Sequence, residues 1–158
     1  MRARCAATLT LGLDPQEFRR GTLWLEELGR RLGIPKDPAY ALNVCLNEAL
    51  ANVACHSGVD REHGNVEVAL DCSGLDQGAA ATLLLCYGGV EFDPRRHVPR
   101  PAASSLDDAL AGGGGIAMMR AFADELHYAR ESGRNELAFT VRWKPCPDNG
   151  LVQAPSPA

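Results

Sequence analysis

Glu48, Asn52 and His56 stand at intervals of four in a stretch whose apolar residues Leu42, Cys45, Leu46, Ala49 and Val53 recur at helical spacing. All three therefore fall in one row along a helix. A carboxylate and a carboxamide held one turn apart on a rigid element suit a particular chemistry: the amide oxygen ligates Mg²⁺ while the carboxylate accepts a proton from an attacking hydroxyl or water. The same row also reads as the polar flank of a buried helix, the commoner use of such residues. A second feature is Gly112-Gly113-Gly114-Gly115, directly ahead of the apolar segment 116–123. Backbone N–H groups without side chains at a helix N-terminus favour an anion, and phosphate is the natural guest. A flexible linker is the alternative reading of the glycines alone. No strand leads into the run, as a dinucleotide fingerprint requires, and no Lys-Ser/Thr follows it, as a P-loop requires.

The elements that position these residues are legible from periodicity. Residues 5–13 alternate, with Leu9, Leu11 and Leu13 on one face and Thr8 and Thr10 on the other, as in a half-buried strand. Asp14, Pro15 and Glu17 give an N-cap, a first helical residue and the returning acid of a capping box. Phe18, Leu25, Leu28 and Leu32 then form a stripe up to Gly33. Asp37-Pro38 repeats the start signal for the helix that carries Glu48 and runs to Ser57-Gly58. Val66, Val68 and Leu70 alternate, the segment 73–78 is turn-rich, and 82–86 is a buried run, so together they predict a hairpin. The stretch 88–115 is rich in proline and glycine and too long for a plain connection. It reads as a functional lid, mobile over 99–112, with a helical hint at 105–111. A short helix over 116–123, a strand over 125–132, a tight turn at Gly133-Arg134-Asn135 and a final strand through Leu137, Phe139, Val141 and Trp143 complete the domain. The Pro-rich tail 145–158 reads as disordered. The expected architecture is a two-layer α/β (α+β) sandwich occupying 1–144. Its mixed, mostly antiparallel sheet of about five strands carries three helices on one face.

Composition narrows the function. The chain has 158 residues, 46% hydrophobic and 23% charged, so it builds one ordinary core. A formal charge of -4 without a basic run gives no footprint for nucleic acid or anionic lipid. No apolar stretch has the length of a membrane span, and the N-terminus enters an alternating segment rather than a leader, so a cytoplasmic protein is expected. Six cysteines lie mostly inside apolar segments with no C-x-x-C pair, which fits small buried hydrophobes. Cys55, His56, His63 and Cys72 make a poor metal set, because adjacent ligands on one helix diverge. His127, Tyr128, Trp24, Trp143, Met118 and Met119 read as packing residues.

The segment 46–56, Leu-Asn-Glu-Ala-Leu-Ala-Asn-Val-Ala-Cys-His, resembles the N-box of the anti-sigma-factor serine/threonine kinases, members of the GHKL or Bergerat-fold superfamily of histidine-kinase-like ATPases. Gly113-Gly114-Gly115-Ile116-Ala117-Met118-Met119-Arg120 is similar to that family's glycine box. Phe122 to Glu125 resembles the segment after it, and Gly133-Arg134-Asn135-Glu136-Leu137 the closing hairpin. Gly89 and Phe92-Asp93-Pro94 match the start of the family's lid, but the Asp that normally accepts from the adenine amino group is here Tyr87.

The resemblance implies ATP and Mg²⁺ under the lid, with Asn52 on the metal, Glu48 as base and Gly113 and Gly115 at the phosphates. His56, Tyr87, Gly89 and Ile116 complete the nucleotide site. It also implies a homodimer whose partners are a sigma factor and an anti-sigma-factor antagonist, the latter phosphorylated on serine in a partner-switching system. Tyr87 points to an alternative, in which the phenol occupies the adenine space and the chain is a degenerate, non-catalytic module that sequesters its partners without ATP turnover.

Overall fold

The computed structural model describes residues 4–73, 79–96 and 114–144. The element order is β1 (Arg4–Gly12), α1 (Pro15–Leu32), α2 (Lys36–His56), β2 (Asn65–Ser73), β3 (Ala79–Tyr87), a 3₁₀ turn (Pro94–Arg96), α3 (Gly114–Phe122), β4 (Glu125–Glu131) and β5 (Arg134–Trp143). The strands form one sheet in the order β1-β2-β3-β5-β4. Every pairing in it is antiparallel. The three described helices pack on one face of the sheet, giving the two-layer α+β sandwich read from the sequence. The expected helix at 105–111, the mobile stretch 99–112, Gly113 and the tail 145–158 lie outside the described residues.

Local chemistry explains the element ends. Asp14 caps α1 as expected, its carboxylate accepting the Glu17 N–H at 3.0 Å. The returning acid does not close a capping box on Asp14. Glu17 accepts the Gly12 N–H at 2.9 Å and pairs with Arg20, which also donates to the Thr10 carbonyl, so one carboxylate ties α1 to β1. Gly33 ends α1 in the left-handed region at φ 71°. The helix α2 starts one residue ahead of Asp37, after Pro35 and with no side-chain cap. Asp37 sits in its first turn, where a carboxylate complements the helix dipole. The expected turn at 133–135 is shorter in the structure. Only Ser132 (φ 51°) and Gly133 (φ 78°) take positive φ, the signature of a two-residue type I′ hairpin turn, while Arg134 and Asn135 already belong to β5.

The core lies between α2 and the sheet. Leu42, Leu46 and Leu50 meet Leu11, Leu70, Leu83, Leu85 and Phe139, all fully buried. Each such side chain contributes about 1.5 to 3 kcal/mol of burial, so this seam fixes how α2 lies across the strands. In β3, residues 79, 81, 83, 85 and 87 are buried and their alternates only half-buried. The run 82–86 is therefore one-sided rather than enclosed. The other sheet face, with Ala69, Leu84 and Ala138 in one cross-strand row, carries no helix among the described residues.

Candidate functional site

Glu48 and Asn52 are half-buried on α2, on the side that receives α3, while His56 at the helix end is exposed. The first turn of α3 comes close to both polar residues. A Cβ on Gly115 would stand 2.6 Å from Glu48 Oε2 and 3.9 Å from Asn52 Oδ1. A side chain at 115 would have to turn the Glu48 carboxylate aside, and the close approach brings unsatisfied helix N-terminal N–H groups beside a carboxylate and a carboxamide. The α3 helix begins at Gly114, two residues earlier than expected, so two of the four glycines lie inside its first turn. Ile116, expected at the nucleotide, has its side chain 5% exposed and packed into the core. Next to Glu48 sits Cys45, whose thiol is pushed up to about 12 by burial and secondarily by that carboxylate. It stays protonated and inert.

One turn beyond Asn52, the His56 ring stacks on Phe92, with centroids 6.2 Å apart and planes 27° apart. The end of α2 is joined to the chain leaving β3. Val90 N–H donates to the Ser57 carbonyl at 2.8 Å, and Gly89, at φ 89°, lies so close that a Cβ there would meet that same oxygen at 2.1 Å. Tyr87, the last residue of β3, is 4% exposed and faces the core opposite Asn135 of β5. Burial, with the nearby Tyr128 as a smaller cause, pushes its phenol up to about 12.

Sequence reasoning missed the residues that hold this corner. Asn135 is fully buried. Its Oδ1 accepts from the Tyr128 hydroxyl at 2.5 Å and from Arg130 at 2.9 Å, while its Nδ2 donates to the carbonyls of Gly88 at 3.0 Å and Val90 at 3.2 Å. Arg130 also donates twice to the Gly89 carbonyl, and the Tyr128 hydroxyl accepts the Phe92 N–H. Residues 88–92 are thus pinned by three side chains of the β4–β5 hairpin. The signal was present in the parity of β5, where Asn135 shares the inward register of Leu137, Phe139 and Val141. A polar residue at a core-facing position is an announcement that something must satisfy it. The next turn is fixed in the same manner. Asp93 accepts from the Arg95 N–H and pairs with Arg95, which holds its carboxyl below the usual range, and Arg120 of α3 donates to the carbonyls of Pro94 and Arg95.

Beside Glu48, on the outer side of the helix layer, runs a groove of about 730 Å³ between α1 and α2. Tyr40 and Met118 on its wall are 60% and 40% exposed. No helix of the described residues is long and apolar enough to cross a membrane.

The profile of the histidine kinase-like ATPase domain matches residues 12–141. The serine/threonine-protein kinase BtrW of Bordetella bronchiseptica is 29% identical over 138 residues, covering 87% of this chain and 94% of that one. Among solved structures, the RsbU and RsbW domains of Rv1364c from Mycobacterium tuberculosis superpose with a TM-score of 0.57 at 15% identity. That match covers 85% of this chain and 32% of the other. The SiaB–SiaC complex from Pseudomonas aeruginosa gives 0.57 at 12% identity over 90% and 92% of the two chains.

Proposed function

The chain belongs to the histidine kinase-like ATPase domain family, and from that premise we propose that it binds ATP·Mg²⁺ at the α2–α3 junction and transfers the terminal phosphoryl group to a serine of a partner protein. The observation that carries this reading is the approach of Gly115 to Glu48 and Asn52, which places anion-binding backbone N–H groups beside hard oxygen ligands. The residues fit the metal: the Asn52 amide oxygen suits Mg²⁺, with Gly113 and Gly115 at the phosphates. When bound, the ion neutralises charge on the phosphate oxygens. Glu48 accepts the proton of the attacking hydroxyl. The first turn of α3, through the Gly115 and Ile116 N–H groups, orients the phosphates, and positioning supplies most of the acceleration. Tyr87, Gly89 and His56 lie toward the base and sugar.

The likeness to a serine/threonine-protein kinase supports a protein hydroxyl as acceptor. The groove that ends at Glu48, walled by Tyr40 and Met118, supports a partner docked on the helix layer. We read that partner as an anti-sigma-factor antagonist, with a sigma factor as the competing ligand, in partner switching that regulates transcription. The sheet face with Ala69, Leu84 and Ala138, which carries no helix among the described residues, supports a homodimer. The free cysteines fit a reducing cytoplasm. A second reading, a non-catalytic module that sequesters the same partners, is favoured by Tyr87, which is buried and takes, in the sequence motif, the position of the family's adenine-accepting Asp.

Calorimetric titration of ATP with and without Mg²⁺ separates the two. Micromolar, Mg²⁺-dependent binding followed by labelling of a protein serine supports the kinase. Absence of binding leaves the module.

A further inference from the structure

Glu48 is bordered on two sides. The first turn of α3 comes in at Gly115 on one of them, and the groove between α1 and α2 opens on the other, with Met118 of α3 on its wall. A hydroxyl that hands its proton to Glu48 therefore arrives through the groove, and the chain to one side of that hydroxyl lies along it. Lys36, Tyr40, Asn43 and Glu48 succeed one another on the groove side of α2. At the standard rise Tyr40 is about 12 Å and Lys36 about 18 Å from Glu48 along the helix axis.

Each of these positions calls for a complement. The Asn43 side-chain oxygen is shielded from solvent and has no hydrogen-bond partner among the described residues. One turn on, Asn47 is satisfied: its Nδ2 donates at 2.9 Å both to Thr22 Oγ1 and to the Asn43 carbonyl, which ties α2 to α1. Buried polar atoms are nearly always paired, and the χ2 torsion of an asparagine is soft, so the Asn43 oxygen can turn to an N–H that enters with an occupant. Tyr40 is held edge-on against Phe122, with ring centroids 5.8 Å apart, and remains exposed, as does Met118. An aromatic ring and a thioether on one wall suit an apolar side chain. At the far end Arg30 is already paired with Glu27, whereas Lys36 is exposed and outside the ion pairs of the described residues. An extended peptide answers all of these at once. At about 3.3 Å per residue it spans the distance to Tyr40 in about four residues and that to Lys36 in about six, and even spacing keeps those side chains on one face with the serine.

Resting on the kinase reading of Glu48, we propose that the α1–α2 groove is the substrate-specificity site and that its occupant is an extended, serine-bearing segment of the partner protein. The serine lies at Glu48. A backbone N–H of the segment donates to Asn43 Oδ1, an apolar side chain about four residues from the serine packs on Tyr40 and Met118, and an acidic side chain about six residues from it pairs with Lys36.

The test is fluorescence anisotropy of the full chain with labelled alanine-rich peptides that carry serine, leucine and aspartate at these spacings, in both chain directions. Thermal melts confirm that each protein variant is folded. One direction is expected to bind. Tyr40→Ala and Asn43→Ala weaken it at least about fivefold, and Lys36→Glu prefers by about tenfold a peptide with lysine in place of the aspartate. Binding of neither direction at millimolar peptide, or binding that Tyr40→Ala and Lys36→Glu leave unchanged, overturns the proposal. So does a Tyr40→Ala variant that loses self-association in sedimentation and keeps the peptide, which gives the groove to a second copy of the chain. Peptide binding needs no nucleotide, so calorimetry with ATP separates the two readings. A chain that binds ATP and not the peptide overturns this proposal alone, and one that binds neither overturns both.

Discussion

Glu48 Oε2 stands where a side chain on Gly115 would have to go, 2.6 Å from the position of its Cβ. The atom in the way is the far end of a flexible side chain, so an alanine there is accommodated by turning the carboxylate aside. Alanine also favours a helix over glycine by roughly 1 kcal/mol. Gly115→Ala is expected to keep or slightly raise the melting temperature while weakening ATP binding at least about tenfold. A variant that melts like wild type and binds ATP like wild type would remove Gly115 from the site.

Glu48→Gln keeps the shape and the polarity of the half-buried side chain and removes the proton acceptor. Phosphoryl transfer to serine should fall by about two to four orders of magnitude, with ATP affinity within about threefold of wild type, as read from single-turnover labelling beside calorimetry. Equal losses in binding and transfer would instead make Glu48 a binding residue.

Asn135→Ala strips partners from two carbonyls, a phenol and a guanidinium in one step. The expected cost is about 1 to 3 kcal/mol in urea unfolding, with nucleotide binding reduced because residues 88–92 lose their anchor. Tyr128→Phe removes one of those bonds together with the one from the Phe92 N–H, and should cost less. A stability change below about 0.5 kcal/mol for Asn135→Ala would show that the clamp is not what holds the segment.

Acid should loosen the tie between α1 and β1. The hydrogen bonds from Arg20 and then from the Gly12 N–H bring the Glu17 carboxyl down from 4.5 to about 2. A depressed folded pKa means stabilisation that is fully present above the unfolded value and lost as pH falls through the folded one. The melting difference between wild type and Glu17→Gln should therefore be constant above about pH 5, shrink steadily below it and vanish only below about pH 2. Because the pair is exposed, salt should shrink it. A difference that does not change with pH would assign the effect to helix capping rather than charge.

Strands and helices were legible wherever one face is buried, because alternation in residues 9–13 and 66–70 and the four-residue rhythm of α2 are dictated by the core. The row Glu48, Asn52, His56 followed from that rhythm alone. What periodicity could not show is which backbone comes to meet it: the start of α3 at Gly114 rests on contacts with α2, a tertiary matter. The destination of Glu17 was equally hidden, because a capping box and a bond to the preceding strand share the same residue types. The role of Asn135 was readable in principle from strand parity, but a turn-rich neighbourhood disguised it as part of the turn.

The sheet order has a kinetic side. The β4–β5 hairpin closes through a two-residue turn, and β2 pairs with β3 next to it in the chain, so both can form locally within microseconds. The seam between β3 and β5 is different: it joins residues as far apart in the chain as Ala79 and Trp143, and at its end Tyr87 meets Asn135. Closing that seam pays loop entropy before it gains contacts, which places it late on the folding route. Segment 88–92 takes its shape only then, so a chain caught with two finished hairpins and an open seam would have native-like strands and no place for a ligand.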